Sequence, residues 1–169
     1  MKTEETDTIS ELSFKDYKYL EICVALAEDA LNAGDEPFGS ILVNAKNEII
    51  ATARNKVNAE NVLSHPEIEL AYWALENLST EERKSTTMYT TGEHCPMCAA
   101  AHGWAEIGPL VYLSSAEQLG EWLQEFGANE APIHFVASRE IIKHIDIKGP
   151  GSGVVLEAIK ALHKRYNCE

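Results

Sequence analysis

The sequence predicts an α/β fold, a three-layer α/β/α domain with a five-stranded mixed sheet. The main observation is a hairpin followed by alternating strand-like and helix-like segments, a pattern typical of a sheet covered by helices on both faces. The second observation is size, because 169 residues, 45% of them hydrophobic, suffice for one domain with a substantial core. We therefore divide the chain into an acidic lead, residues 1–13, and a single domain, residues 14–169.

The first half of the chain contains two helical patterns and the hairpin. Ser13 can cap the first helix and Gly34 can end it, because apolar residues recur between them at helical spacing. The hairpin consists of two β-branched and aliphatic runs separated by a short polar turn. The predicted elements are a helix from Ser13 to Gly34, strands 38–43 and 48–54, and a helix from Ser64 to Leu78.

The second half alternates three strands with three helices. A charged segment, residues 79–85, ends the preceding helix, and the glycine-rich run 149–153 forms the joint before the last helix. Trp73 and Trp104 are expected in the core. The predicted elements are strands 87–91, 110–113 and 133–137 and helices 96–104, 115–126 and 153–166.

The charge of the chain argues against nucleic acid and membrane partners. Lys and Arg number 14 against 27 Asp and Glu, a net charge of −13, whereas a protein that binds nucleic acid normally presents a basic stripe. The densest basic cluster, residues 160–165, suits the C-terminal end of a helix instead. The longest stretch without charged side chains, residues 94–105, is too short to span a membrane. Residues 1–13 lack the apolar run of a secretory signal, so we expect a cytoplasmic protein.

Three residues have side chains and spacing suited to a metal ion: His65, Cys95 and Cys98. Residues three apart on a helix share a face, so both sulfurs can reach one ion. His65 supplies a nitrogen from a neighbouring helix start, which leaves a fourth tetrahedral position open to water. This is the geometry of a catalytic zinc site, and we predict one Zn²⁺ per chain.

Glu67 is the candidate catalytic residue beside this site. Because two thiolates offset the charge of Zn²⁺, a nearby proton acceptor becomes valuable, and Glu67 follows His65 at the same helix start. Two alternatives compete with this interpretation. Ser64 and Glu67 also fit a capping box, and a lone Cys-x-x-Cys also suits a redox pair or half of a structural zinc site. The presence of both motifs on one strand and helix frame favours the catalytic metal.

The pattern His-x-Glu at 65–67 with Cys-x-x-Cys at 95–98 resembles the zinc-dependent deaminases of the cytidine deaminase-like superfamily. The similarity extends over nearly the whole chain, from residues 34–39 through 54–55 to 98–105, and is greatest to the guanine and nucleoside deaminase branch. It implies a cytidine deaminase-like fold, a homodimer and hydrolytic loss of ammonia from an amino-substituted ring. It also implies that the three candidate ligands hold zinc and that the glutamate transfers protons.

The resemblance further implies substrate contacts. Asn55 matches the asparagine that hydrogen-bonds the base ring, although a polar residue after a strand is also a common turn former. Phe38 is either a base contact or a core residue, and Tyr166 either closes over the ligand or packs against a helix. His94 replaces the usual proline before the first cysteine; it is expected to face the substrate or the surface, with a competing metal ligand as the alternative. His102 is expected to pack inside.

The sequence thus predicts a zinc-dependent aminohydrolase that releases ammonia from a free nucleobase or nucleoside, a purine with guanine or guanosine first. Cytosine or cytidine is the alternative substrate. A tRNA adenosine deaminase uses the same ligands, but phosphate binding conflicts with the net charge of −13. Outside the enzymes, the alternative is a non-catalytic deaminase-fold binding module, and the intact Glu67 argues against it.

Overall fold

The computed structural model describes residues 11–169 and contains seven helices and five strands in that range. Residues 1–10, most of the predicted acidic lead, lie outside the described residues. None of the described helices is long and apolar enough to cross a membrane. The elements are α1 (Phe14–Asn32), β1 (Gly39–Val43), β2 (Ile49–Arg54), α2 (Pro66–Asn77), α3 (Thr80–Lys84), β3 (Thr87–Gly92), α4 (Pro96–Trp104), β4 (Leu110–Ser114), α5 (Ala116–Glu125), α6 (Ser138–Ile141), β5 (Ile147–Lys148) and α7 (Gly153–Cys168).

The strands form one mixed sheet in the order β2-β1-β3-β4-β5. Strand β1 pairs antiparallel with β2 and β3, whereas β3, β4 and β5 run parallel to one another. In this register Ser40 on β1 lies opposite Thr90 on β3. The predicted five-stranded mixed sheet is confirmed. The carboxyl ends of β3 and β4 meet at one edge of the sheet, which is where α/β proteins usually place their ligands.

Helices cover both faces of the sheet, which confirms the three-layer α/β/α fold. Helices α2 and α4 contribute to one buried cluster, and α1 and α7 contribute to the other. Because successive strand residues point to opposite faces, Leu42 and Met88 belong to the first cluster and Ile41 and Tyr89 to the second. All residues of β1 and β4 are buried, as expected for strands covered on both sides.

Serine residues fix where three of the surface helices begin. Ser13, Ser79 and Ser115 are the N-caps of α1, α3 and α5, and each makes a reciprocal capping box with the side chain three residues later. Such a box satisfies two N–H groups that a helix start leaves unpaired. The predicted helix starts at Ser13 and Ser115 are confirmed. The charged segment 79–85, predicted only to end a helix, contains the whole of α3.

The predicted fifth strand at residues 133–137 is wrong. This segment is not a strand, and Ile133 and Phe135 are about half exposed. Residues Ile147 and Lys148 pair with β4 instead. The sequence of 133–137 suits a strand locally, but a strand needs a free sheet edge, and the open edge of β4 is taken by β5.

The predicted core position of Trp104 is also wrong, because this side chain is 89% exposed. Helix α4 buries Cys98, Ala99 and His102, and Trp104 lies two residues past His102, about 200° further round the helix. Trp73 is half-buried and packs against the core. The helical position therefore decides the burial of Trp104, and its apolar character does not.

Candidate zinc centre and active site

Two neighbouring helices begin at candidate metal ligands. His65 is the N-cap of α2 and Cys95 is the N-cap of α4, and a proline occupies the first turn of each helix. Proline suits this position because its fixed φ is helical and its missing N–H would have no partner there. Because α2 and α4 pack against each other on one face of the sheet, the two helix starts lie together. Cys98, one turn into α4, is buried.

His65, Cys95 and Cys98 form a group with the spacing of a metal site. Nδ1 of His65 lies 3.7 Å from Sγ of Cys95 and 3.5 Å from Sγ of Cys98, and the three atoms lie within 4.8 Å of one another. In a tetrahedral site with Zn–S of about 2.3 Å and Zn–N of about 2.0–2.1 Å, a nitrogen and a sulfur ligand should be about 3.6 Å apart. The residues therefore fit Zn²⁺, and three protein ligands are the number typical of catalytic zinc.

Hydrogen bonds within this group set the charge of the sulfurs. A hydrogen bond from Cys98 lowers the pKa of Cys95 to about 4, against the effect of burial and with help from His65. The same hydrogen bond, together with burial, raises the pKa of Cys98. Its hydrogen bond to Cys95 raises the pKa of His65, while burial lowers it. The lowered pKa of Cys95 favours the thiolate, which is the form that binds a metal, and metal binding displaces the remaining protons.

Glu67 lies in the first turn of α2 and is buried. Its Oε1 accepts a hydrogen bond of 2.9 Å from the hydroxyl of Thr90, and Oγ1 of Thr90 accepts one of 2.8 Å from the hydroxyl of Ser40. Burial raises the pKa of Glu67, although its own backbone N–H, His65 and Thr90 oppose that effect. A carboxyl with a raised pKa beside a metal site suits a residue that accepts and returns protons.

The capping-box alternative for Glu67 is wrong. The N-cap of α2 is His65 and not Ser64, and no side chain caps this helix by a hydrogen bond. The physical reason is that Glu67 points into the protein, where the hydroxyl of Thr90 binds its carboxylate.

Asn55 follows β2 directly, on the loop that leads to His65, and is 1% exposed. Its Oδ1 accepts a hydrogen bond of 2.9 Å from the N–H of Val57. Its backbone N–H donates to the carbonyl of Phe38 at 3.0 Å. The amide is therefore fixed on its oxygen side, which leaves the Nδ2 donor for a ligand.

Asp35 anchors the loop that follows β2. Its buried carboxylate accepts hydrogen bonds from the N–H of Asn58 at 2.8 Å, the N–H of Ala59 at 3.0 Å and the guanidinium of Arg54 at 2.9 Å. Arg54 also donates to the carbonyl of Asn55 at 2.9 Å. Burial would raise the pKa of Asp35, but these hydrogen bonds and the charge of Arg54 hold it below its usual value. The carboxylate is thus ionised and fixes the start of this loop.

Helix α7 packs beside the same loop. The rings of Phe38 and His163 meet edge to face with centroids 4.9 Å apart. The Phe38 ring also lies at the end of β3, since a Cβ built on Gly92 would be 3.2 Å from its Cε1. The hydroxyl of Tyr166 accepts a hydrogen bond of 2.9 Å from Nδ2 of Asn58. Both aromatic residues thus lie near the loop of Asn55, and their contact with a substrate stays a prediction.

His94 is buried and paired with a second histidine. It is 1% exposed, and its Nε2 lies 3.0 Å from Nδ1 of His102, whose Nε2 lies 2.9 Å from the carbonyl of Gly108. Because the carbonyl can only accept, His102 donates from Nε2, and His94 then donates to Nδ1 of His102. Burial lowers the pKa of both imidazoles.

This pair corrects one prediction and confirms another. A surface position for His94 is wrong, because the hydrogen bond to His102 holds the ring inside the protein. Among residues 11–169, the group able to hold a metal contains His65, Cys95 and Cys98 without His94. The expected inside packing of His102 is confirmed.

A cavity of about 670 Å³ lies between the end of α4 and residues 141–145. Trp104 lines it, and none of the three candidate ligands does. The candidate site is therefore a cluster at two helix starts and is separate from this cavity.

Three residues that hold the site in place, Ser40, Thr90 and Asp35, were not predicted as site residues from the sequence. A signal was present, because Ser40 and Thr90 are polar residues inside runs expected to be buried, and a buried hydroxyl needs a hydrogen-bond partner. The identity of that partner could not be predicted, since Ser40, Glu67 and Thr90 are far apart in the chain and meet only across the sheet.

Known proteins resemble this chain in sequence. The protein-family model of the cytidine and deoxycytidylate deaminase zinc-binding region matches residues 13–114, which include the three candidate ligands and Glu67. The probable cytosine deaminase of Schizosaccharomyces pombe is 32% identical over 145 residues, covering 83% of this chain and 87% of that protein. The guanine deaminase of Bacillus subtilis is 31% identical over 105 residues, covering 61% of this chain and 67% of that protein. Proteins named tRNA-specific adenosine deaminases are also similar.

Solved structures share the fold. The guanine deaminase from Nitrosomonas europaea superposes with a TM-score of 0.68 at 19% identity, covering 94% of this chain and 87% of that one. At this level of identity the likeness concerns the fold, and it agrees with the mixed sheet and helix layers described above.

Proposed function

The chain belongs to the cytidine and deoxycytidylate deaminase zinc-binding family, and from this premise we propose that it deaminates a free nucleobase or nucleoside, with guanine or guanosine as the first candidate. Membership makes it a zinc-dependent hydrolytic deaminase. The observation that carries the proposal is the group of His65, Cys95 and Cys98 beside the buried carboxyl of Glu67.

The residues of the site divide the reaction between them. When held by His65, Cys95 and Cys98, zinc supplies the Lewis acidity that makes water nucleophilic toward the ring carbon bearing the amino group. Glu67 accepts a proton from the attacking water and donates a proton to the amine nitrogen as the carbon–nitrogen bond breaks. One water is consumed, ammonia leaves, and oxygen replaces the amino group on the ring.

Asn55 orients the ring in this proposal. Because Val57 occupies its Oδ1, Asn55 presents a donor, and the substrate must offer an acceptor such as a ring nitrogen or a carbonyl oxygen. The hydrogen bonds of Asp35 and Arg54 hold the loop in place before the substrate binds. Such fixed geometry lowers the entropy cost of aligning the reacting groups.

A small substrate suits the chain better than tRNA does. The net charge is −13, so the protein repels the phosphates that a tRNA deaminase must neutralise. The contacts of α7 with Phe38 and Asn58 also place a helix beside the loop of the site. Both observations support a free base or nucleoside.

Guanine and cytosine remain the two candidates for the base. The similarity to the guanine deaminase of Bacillus subtilis supports guanine. Cytosine is the second candidate because the probable cytosine deaminase of Schizosaccharomyces pombe is matched over 87% of its length.

The test is ammonia release by zinc-loaded protein from guanine, guanosine, cytosine, cytidine and adenosine. We expect turnover of guanine or guanosine and its loss in Glu67→Ala. Glu76→Gln is the matched control, because Glu76 is an exposed carboxylate on the same helix. Turnover of cytosine alone would replace the first candidate by the second, and no turnover by protein with one zinc per chain would refute the proposal. Full activity in Glu67→Ala would refute the role of that residue.

We also propose that the protein is a homodimer, as the family resemblance implies. Three large hydrophobic side chains on or near α2 and α4 support an interface on this side: Val62 is 77%, Tyr72 is 64% and Trp104 is 89% exposed. Apolar surface of this kind is common at protein interfaces. The cytoplasmic location stays a prediction.

A further inference from the structure

A chain of two hydroxyls runs from β1 through β3 to the carboxylate of Glu67. The hydroxyl of Ser40 donates to Oγ1 of Thr90 at 2.8 Å, and the hydroxyl of Thr90 donates to Oε1 of Glu67 at 2.9 Å. Ser40 and Thr90 are fully buried and Glu67 is 6% exposed. The strands fix the first link, because Ser40 and Thr90 are opposite each other in the β1–β3 register.

The direction of both hydrogen bonds follows from the donors available. An ionised carboxylate can only accept, so the single proton of the Thr90 hydroxyl points at Glu67. The lone pairs of Thr90 then accept the proton of Ser40. Without Ser40 the hydroxyl hydrogen of Thr90 could rotate toward other acceptors. With Ser40 donating, the rotation is restricted to the orientation that binds Glu67.

The two oxygens of Glu67 consequently differ. Oε1 accepts the hydrogen bond of Thr90 inside the protein, whereas no side chain of residues 11–169 donates to Oε2. A proton on Oε1 that pointed at Thr90 would face the hydroxyl hydrogen of Thr90, which would then have to leave its present acceptor, whereas Ser40 could go on donating to Thr90. The hydroxyl chain therefore separates an anchoring oxygen from an exchanging oxygen.

We propose that Thr90, supported by Ser40, is a positioning residue that orients the Glu67 carboxylate and reserves Oε2 for proton transfer. This inference rests on the proposed deaminase function and adds to it two residues outside the zinc motifs. Thr90 acts through Glu67 and needs no contact with the substrate. Its loss should therefore slow the chemical step and leave substrate binding nearly unchanged.

The first experiment compares kcat and KM in zinc-loaded Thr90→Val, Thr90→Ser and Ser40→Ala. Valine keeps the shape of threonine and removes the hydroxyl, so we expect kcat to fall about 10- to 100-fold, since small misplacements of a reacting group can cost about 100-fold. We expect KM to stay within about 2-fold of the value for the unmodified protein, because losing an interaction made only in the transition state leaves ground-state binding unchanged. Thr90→Ser should recover most of kcat, and Ser40→Ala should fall between the two.

The matched control is Thr87→Val. Thr87 lies on the same strand and is only half-buried, and its side chain takes no part in the site. We expect its kcat to equal that of the unmodified protein. Zinc content is measured for every variant, so that a loss of kcat without a loss of zinc identifies a positioning effect. Equal kcat in Thr90→Val and the control, or no rescue by serine, would overturn the inference.

A second measurement does not depend on activity. Melting temperatures of zinc-free Thr90→Val, Glu67→Ala and the double variant form a cycle, because residues that share a hydrogen bond give non-additive effects. We expect the double variant to depart from additivity by at least about 2 °C. Additive shifts in melting temperature would refute the hydrogen-bonded chain from Ser40 to Glu67, even if the protein is active. A protein silent on every base, with a non-additive cycle, would refute the proposed function and leave the chain of hydrogen bonds intact.

Discussion

Replacing Asp35 by alanine removes the anchor of the loop between Asn55 and His65. The substitution deletes a buried carboxylate that accepts hydrogen bonds from two backbone N–H groups and from Arg54. Those N–H groups belong to Asn58 and Ala59, and neither can be satisfied by the methyl group of alanine. Arg54 loses its only ion-pair partner among the described residues.

The cost can be worked out from these contacts. A hydrogen bond to a charged group contributes about 1.5–3 kcal/mol, and removing one partner of a buried ion pair costs about 3–5 kcal/mol. The side chain of Arg54 is 29% exposed, so water can replace part of what it loses. We therefore expect Asp35→Ala to lower the free energy of unfolding by about 3 kcal/mol, the lower end of that range.

Urea unfolding followed by circular dichroism measures this loss. Because the free energy of unfolding of small proteins falls by about 1–3 kcal/mol per molar urea, a loss of about 3 kcal/mol should lower the urea midpoint by about 1–3 M. The measurement is made in EDTA, because bound zinc would add its own stabilisation. Asp29→Ala is the matched control, since Asp29 is an exposed aspartate on α1, and such surface changes usually cost less than about 0.5 kcal/mol. Equal midpoints for the two variants would refute the role assigned to Asp35.

Four further predictions concern the metal, the interface and two buried groups. His65→Ala should lose both bound zinc, measured by metal analysis, and ammonia release. Zinc added back after chelation should restore ammonia release in the unmodified protein and not in the variant. Trp104→Arg should convert a dimer into a monomer in light scattering if this exposed side chain lies in the interface, and an unchanged mass would contradict that placement. In native protein a thiol reagent should label Cys168, which is exposed, and spare Cys23, whose pKa is raised by burial. Burial opposes ionisation of Asp16, but its hydrogen bonds with Ser13 and Tyr89 lower its pKa below the usual value of 3.8. The stability that the ionised carboxylate contributes is therefore present above pH 3.8 and is lost as the pH falls through the pKa of the folded state. The difference in urea midpoint between the unmodified protein and Asp16→Asn should accordingly shrink in acid.

Local patterns in the sequence were sufficient for several helix starts, including those at Ser13 and Ser115, for the hairpin and for the spacing of the metal group. Ser13 with Asp16 forms a capping box within four residues. Cys95 and Cys98 meet because residues three apart on a helix share a face. Such features depend on neighbours in the chain, so they can be predicted before the fold is known. Residue type and position also predicted His65 as the third ligand, and the family resemblance supported that prediction.

Predictions that depend on distant partners were less successful. Residues 133–137 have a strand-like sequence, yet β5 comes from Ile147 and Lys148, because the choice of edge strand depends on which segment reaches β4. Trp104 was expected inside and is exposed, because helix position determines which face is buried. In both cases the local sequence is compatible with two outcomes, and tertiary packing selects one.

The sequence by itself determined which candidate groups the site contains: a nitrogen and two sulfurs that could hold zinc, with a carboxylate beside them, all within short motifs. Only the tertiary structure decided how that carboxylate is held. The hydroxyls of Ser40 and Thr90 reach Glu67 because β1 and β3 pair in one register, and Asp35 reaches the loop of Asn55 because the chain returns past it. Hydrogen bonds between residues far apart in the chain follow from strand register and helix packing, which no local pattern contains.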